Sequence, residues 1–323
     1  MSGLAQASRA VVVADRTDLG RLIGTGPDLL GLLHRLSTGD VSDLRAGEGC
    51  ETVLTNAKGR IVERLFVHHL GPDGVLLVAG QGGAGRVLAH LARFTFAEKT
   101  GLSDVTDATF AFALLGPRWE EASRALGIPE LAPFGLSALR IAGAPVHASR
   151  TNGFTSDGIL VTGPRGDAAA VHGALVAAAE SLGGGTMDAE SLEAWRILEG
   201  LPAANHELTD EHNPLEAGLK GAVSFTKGCY VGQEVVARLN TYDKVSRSLI
   251  RLDLEAGAPV PALGSAVVHD GKRIGEVTSA VRPPGSPAAV ALAYVKSREL
   301  PAHATSLSID DGGEVRRATP VRR

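Results

Sequence analysis

Apolar residues at Leu29, Leu30, Leu32, Leu33 and Leu36 recur at helical spacing, and Pro27 stands in the first turn, where its missing N–H costs nothing. The pattern predicts an amphipathic helix. Residues 61–67 and 75–79 read as short strands joined by the turn Gly71-Pro72-Asp73-Gly74, which makes a hairpin. Residues 82–94 return to helical spacing, 109–115 read as a buried strand, and 117–126 as a second amphipathic helix ended by Gly127. The order then repeats, with strands near 136–141, 145–149 and 158–162 and a helix over 168–182 whose apolar run is interrupted by His172 and Glu180. Gly183-Gly184-Gly185 reads as a linker or turn, and Asp188 as the cap of a helix that runs to Glu199.

Beyond about residue 245 the helical pattern stops. Short strands at 248–254, 266–269, 273–279, 288–295 and 306–309, with Asp270-Gly271 and Asp311-Gly312 as turn dipeptides, indicate a small β-barrel. Strand pairs alternating with helices packed on one side place the rest in the α+β class with a mixed or antiparallel sheet. The expected organisation is an α+β region of two interleaved lobes over 1–244 and a C-terminal barrel over 245–323.

A chain of 323 residues exceeds the roughly 250 that one core organises, which agrees with more than one lobe. Hydrophobic content of 44% and charged content of 21% describe a globular chain, and 4% aromatic leaves little for stacking platforms. The net charge of −4 argues against a broad nucleic-acid footprint. Residues 1–16 lack an apolar signal-peptide core, and no window has the run of apolar residues that a membrane span requires. Cys50 and Cys229 cannot make a disulfide framework, so the expected compartment is the cytoplasm. Nor do two thiols supply the four that an iron–sulfur cluster normally takes; any cluster would be completed by outside ligands.

The densest chemistry lies in Lys227-Gly228-Cys229-Tyr230-Val231-Gly232-Gln233-Glu234, a thiol, a cation, an aromatic and polar groups set between glycines. Such glycines let the backbone take positive φ or approach a ligand closely. Lys227, two residues before Cys229, could hold a thiolate by charge and lower its pKa from about 8.5. The plain alternative for Cys229 is a small buried hydrophobe, which also describes Cys50. His68-His69 would point to opposite faces of a strand, with no accompanying cluster, so no metal site is expected. Gly80 to Gly85 lacks the Lys-Ser/Thr of a phosphate loop.

The octet, preceded by Ser224-Phe225-Thr226 and followed by Val235-Val236-Ala237-Arg238, resembles the K-G-C-Y-x-G-Q-E signature of the YgfZ family of folate-binding proteins. That family is related to the glycine cleavage T-protein, an aminomethyltransferase, and the resemblance covers nearly the whole chain. Residues 26–41, the turn Thr55-Asn56-Ala57-Lys58-Gly59-Arg60-Ile61, Arg196-Ile197-Leu198-Glu199-Gly200, Pro214-Leu215-Glu216-Ala217-Gly218-Leu219 and Gly275-Glu276-Val277-Thr278-Ser279 carry it. It implies a three-lobed aminomethyltransferase-like folate-binding fold with a C-terminal barrel and a tetrahydrofolate in a central channel. It also implies a folate-dependent accessory factor that serves iron–sulfur client or assembly proteins. A second reading is a tetrahydrofolate-dependent one-carbon transferase, which leaves tRNA open as a partner.

The resemblance implies Cys229 and Lys227 as the reactive pair at the channel mouth, with Tyr230 beside them. Gln233 and Glu234 would fix the loop or bond the ligand, and Arg238 would pair with an anion. It places the T-protein catalytic aspartate at Glu63-Arg64; if the position is Arg64, the acid–base group is missing, since Arg stays protonated. The pterin-reading carboxylate falls at Leu198 with Glu199 one residue late, and the pterin-binding asparagine at Gly80. Arg196 either pairs with the folate glutamate tail or forms an ordinary salt bridge. Asn56 either joins the site or uses turn geometry, Phe154 either packs on the pterin or belongs to the core, and Glu199 either reaches the pterin or ends a helix in solvent.

Overall fold

The computed structural model describes residues 3–151, 157–242, 244–301 and 304–321. A short helix α1 (Gly3–Ala7) leads to strands β1 (Val12–Asp15) and β2 (Leu19–Thr25), helix α2 (Leu29–Leu36), strands β3 (Gly49–Thr55), β4 (Ile61–His69) and β5 (Val75–Gln81), and helix α3 (Ala84–Ala92). There follow β6 (Gly101–Asp104), β7 (Thr109–Leu115), α4 (Trp119–Ala125), β8 (Leu136–Ile141), β9 (Ala144–Thr151), β10 (Gly158–Pro164), α5 (Ala168–Ser181), β11 (Gly185–Met187) and α6 (Ala189–Leu198). A connector over residues 199–232 carries one 3-10 turn at Lys220–Ala222 and ends in helix α7 (Gln233–Thr241). The chain closes with β12 (Arg247–Ala256), β13 (Ala266–His269), β14 (Lys272–Val281), β15 (Ala288–Lys296), β16 (Leu307–Asp311) and β17 (Glu314–Val321).

Among the described residues the strands form a 5-stranded sheet in the order β3-β4-β5-β2-β6, a 6-stranded sheet in the order β11-β1-β7-β10-β9-β8, and a closed barrel β12-β15-β14-β13-β16-β17. β1 and β2 are consecutive yet belong to different sheets, so the first two lobes interleave. Only the short β1–β11 pairing is parallel among the described ladders. The fold is thus α+β with a C-terminal barrel, as the pattern indicates.

The central strands are buried on both faces, and alternate residues serve different layers. Leu22, Leu65, Val67 and Leu77 face Leu29, Leu32 and Leu33 of α2 and Val87 and Leu91 of α3. The opposite faces of the two sheets pack together through Phe66 and Val78 against Val12, Ala113 and Leu115. α4 and α5 cover the outer face of the 6-stranded sheet. The result is four layers, helix, sheet, sheet, helix, with the barrel docked at one side through Ile197 of α6 against Val290 and Leu292. A buried polar joint reinforces that docking. The Arg196 guanidinium donates to Glu207 at 3.0 Å and to the Ser279 hydroxyl of β14 at 2.8 Å, while the Ser279 hydroxyl donates to Glu207 at 2.6 Å. No helix among the described residues is long and apolar enough to cross a membrane.

Six strands, β1, β2, β3, β6, β11 and β17, lie outside the elements read from the sequence, and the triple glycine is more than a linker. Gly185 opens β11, which pairs with β1. The tertiary partner, rather than local propensity, makes it a strand.

Candidate functional site

The signature octet is sewn to the end of α2. Lys227 is buried, and its ammonium donates to the carbonyls of His34, Ser37 and Gly39 at 2.7, 2.8 and 2.6 Å. The His34 carbonyl is among the acceptors that α2 leaves unpaired at its C-terminus, where a cation is favoured, and Ser37 and Gly39 lie just past it. Burial pushes the Lys227 amine down to about 8, against the opposing pull of Asp40 and Cys50. Tyr230 is buried beside it, with the ammonium 5.2 Å from the ring centroid, and burial raises its phenol to about 12. The Val231 N–H donates to Arg35 O at 3.0 Å, and the Thr55 hydroxyl donates to Val231 O at 2.6 Å.

This geometry corrects the expected role of Lys227. All three of its N–H groups are spent on backbone carbonyls, so it anchors the loop instead of holding a thiolate. Cys229 itself is exposed, which sets aside the buried-hydrophobe alternative. Gln233 spans the loop from below, its amide 3.5 and 3.4 Å from the carbonyls of Lys227 and Gly228. Glu234 and Arg238 are exposed on α7. Gly232 has φ 85°, and a Cβ there would meet Asn56 O at 2.5 Å. The second glycine of the octet therefore lets the loop approach the 56–59 turn, not a ligand. Cys50 is half-buried, and burial raises its thiol to about 11, in keeping with packing.

The other candidates separate. Asn56 Oδ1 accepts from the N–H of Lys58 at 2.9 Å and of Arg60 at 3.1 Å, which is turn geometry, although Asn56 also borders a cavity. Arg196 is consumed by the barrel joint, by Glu193 at 2.8 Å and by Leu201 O at 2.7 Å, so it is the salt-bridge alternative that the structure shows. Burial alone would depress its guanidinium, but Glu193 and Glu207 outweigh that and hold it above its ordinary value. Glu199 is the C-cap of α6 and borders a small recess beside Arg251 of the barrel; it lines neither central cleft. Phe154 lies outside the described residues. His68 is fully buried with Nδ1 3.0 Å from Phe134 O, while His69 Nδ1 accepts from the Gly71 N–H at 2.9 Å.

The central passage between the lobes is occupied by two separate clefts. One, of about 570 Å³, is bordered by Glu51, Arg64, Pro202 and Leu249; the other, of about 640 Å³, by Asp18, Gly80, Arg165, Pro202 and Ala204. Pro202 borders both, so the connector stands across the middle. Glu63 and Arg64 part as strand neighbours do. Glu63 turns to α3, where Arg86 donates to its Oε2 at 2.9 and 2.7 Å and the Gly80 N–H to its Oε1 at 3.2 Å. Arg64 turns to Glu51, which its Nε meets at 2.6 Å.

A larger cavity, about 930 Å³, opens beside the signature loop. Val231 of the octet, Ile61 and Phe94 give it apolar wall, and Lys58, Arg86 and Arg93 bring positive charge against one carboxylate, Asp210. His90 borders it as well. That residue was not legible as a candidate; the available signal was a histidine within the buried stripe Ala84, Val87 and Leu91 of α3.

Residues 4–227 match the family model described as the GCVT N-terminal domain, and residues 247–323 that of the glycine cleavage T-protein C-terminal barrel domain. The chain belongs to the glycine cleavage T-protein family. It is 31% identical over 292 residues to a chloroplastic protein of Arabidopsis thaliana provisionally named a transferase, covering 89% of this chain and 66% of that one. It is also 31% identical over 294 residues to an aminomethyltransferase of Thermus thermophilus, covering 89% of this chain and 80% of the relative. The crystal structure of the glycine cleavage system aminomethyltransferase T from Bartonella henselae superposes with a TM-score of 0.82 over 98% of this chain and 86% of that one, at 21% identity, and shows the shared fold.

For a T-protein-family chain the central passage is the place to test for a folate. The contact residues that the resemblance expects are displaced there. The expected carboxylate position that faces the passage is Arg64, the other acid is sealed by Arg86, and Glu199 points elsewhere. A Cβ added at Gly80, where the resemblance expects asparagine, would come within 2.5 Å of Ala204 Cβ, so the connector already fills that slot.

Proposed function

We propose that this T-protein-family chain is a YgfZ-type, folate-binding accessory factor for assembly or repair of iron–sulfur clusters, acting in the cytoplasm through Cys229. The observation that carries the proposal is the pairing of an exposed thiol with a loop fixed by three ammonium–carbonyl bonds. A thiol held rigidly at the surface is placed to meet a group carried by another macromolecule, whereas a small-molecule transferase would enclose its reacting group. Tetrahydrofolate is the proposed cofactor, and iron–sulfur client or assembly proteins the proposed partners.

Tetrahydrofolate-dependent one-carbon transfer, on a protein or a tRNA, is the second reading, favoured by the aminomethyltransferase relatives. Against it stands the state of the expected acid: Glu63 is buried and engaged by Arg86, and its neighbour Arg64 stays protonated. Two assays separate the readings. In a strain lacking the gene, an iron–sulfur enzyme should lose activity while a cluster-free enzyme keeps it, and the purified protein should show no tetrahydrofolate-dependent release of the aminomethyl carbon. Measurable aminomethyl transfer with unaffected iron–sulfur enzymes would overturn the accessory reading in favour of the transferase.

A further inference from the structure

We infer that the surface at the C-terminal end of α2 is where the partner of Cys229 docks, and that this partner is an acidic protein with an apolar socket for Phe96 and Phe225. The inference rests on the accessory function proposed above and names its docking surface. Two segments converge on that helix end. Residues 222–231 are tied to it by the Lys227 bonds, by the Ser224 N–H donating to Thr38 O at 2.9 Å and by the Val231 N–H donating to Arg35 O at 3.0 Å. Residues 94–99 reach it from α3: the Arg35 guanidinium donates to Glu98 Oε1 at 2.7 Å, and Glu98 Oε2 accepts from the Phe96 N–H at 2.9 Å and the Ala97 N–H at 3.2 Å.

Each segment ties down its backbone and leaves an aromatic ring in water. Phe96 is 88% exposed, the highest value among the exposed large hydrophobic residues described, and Phe225 is 40% exposed, four residues before the exposed Cys229. Rings carried on a bonded backbone lose little freedom when a partner covers them, and aromatic residues are enriched as interface anchors. The free charge around Phe96 is positive. Arg93 and Lys99 stand on either side of it in sequence, and Lys58 shares a cavity border with Arg93. None of the three forms an ion pair among the described residues, whereas Glu98 is taken by Arg35. A carboxylate rim complements that charge. A nucleic acid fits less well, because Asp40, two residues past Thr38, and Glu234, five past Cys229, are exposed and repel phosphates.

The test is rescue of a strain lacking the gene, read from an iron–sulfur enzyme, together with the purified variants. Phe96→Ser/Phe225→Ser should restore about a tenth of the activity that the wild type restores, the scale of losing aromatic anchors. Its melting temperature and its rate of Cys229 alkylation by iodoacetamide should equal those of the wild type. Arg93→Glu/Lys99→Glu should fall in the same way, while Val260→Ser/Leu263→Ser, at exposed apolar positions of the barrel domain, should rescue fully. A photoreactive benzoylphenylalanine in place of Phe96 should give, in cells, an adduct that survives ribonuclease and whose cross-linked peptide is rich in Asp and Glu. If the aromatic variant rescues as the wild type does while Cys229→Ser fails, this surface falls and the accessory function stands. An adduct that ribonuclease removes, or one on a peptide without acidic residues, would overturn the acidic protein as the partner. If loss of the gene leaves the iron–sulfur enzyme untouched, the accessory function and this inference fall together.

Discussion

Replacing Lys227 with methionine separates an anchor from an activator. The ammonium makes three hydrogen bonds of 2.6 to 2.8 Å to carbonyls of residues 34, 37 and 39, and methionine keeps the apolar stem while deleting all three. A buried acceptor left without a partner costs about 1–3 kcal/mol. Part of that is recovered because burial already penalises the ammonium, and because water can enter beside the exposed Gly228 and Cys229. The net loss should be about 3 kcal/mol, read from the urea midpoint at unchanged slope. The same variant should leave the pH–rate profile of Cys229 alkylation by iodoacetamide as it is in the wild type, since the ammonium is aimed at carbonyls. A loss below about 0.5 kcal/mol, the usual range for surface substitutions, would refute the anchor. Alkylation that slows at neutral pH with a profile moved to higher pH would instead make Lys227 the activator of the thiol.

Arg86→Met should cost about 3 kcal/mol, at the low end for breaking a buried pair, because Glu63 keeps its bonds from the Gly80 and Arg64 N–H groups. Adding Glu63→Gln should recover most of it, which a double-mutant cycle by urea denaturation would show. His68 is held down to about 4 by burial, against about 6.5 when unfolded, so the unfolded chain binds more protons between those values. Stability from this group is complete above pH 6.5 and falls by about 3 kcal/mol as pH drops to 4; His68→Gln, keeping a donor for Phe134 O, should flatten that part of the acid-stability curve.

Elements with an uninterrupted period were legible. α2, the β4–β5 hairpin and the barrel strands β12 to β16 each carry apolar residues at the spacing their geometry demands. β2 was not, because Gly20 and Gly24 interrupt its pattern for a tertiary reason. A Cβ at Gly20 would meet Ala84 N at 2.7 Å, and one at Gly24 would meet Leu29 Cδ2 at 2.3 Å. Those glycines let α3 and α2 approach the sheet, which no local window records.

The site divides in the same way. Its unusual wording marked the octet, since a thiol and a lysine between glycines is not how a core strand is written. What Lys227 does depends on carbonyls near residue 37, and what Glu63 does depends on Arg86 one strand and one helix later. Arg196 shows how residue type can mislead: the same guanidinium suits a folate tail or a buried joint, and only the positions of Glu207 and Ser279 decide. Glu199 is displaced for a simpler reason. Leu198 and Glu199 border the same recess against the barrel, because the end of α6 is spent on docking that domain.

The most direct test of the proposed function is rescue of a strain lacking the gene by the wild-type chain or by Cys229→Ser, with an iron–sulfur enzyme assayed beside a cluster-free enzyme. Because Cys229 is exposed, the serine variant should fold and accumulate as the wild type does. The account predicts that the wild type restores the iron–sulfur enzyme, that the serine variant does not, and that the cluster-free enzyme is the same in every strain. Equal rescue by the serine variant would contradict it and would make the signature loop a structural element alone.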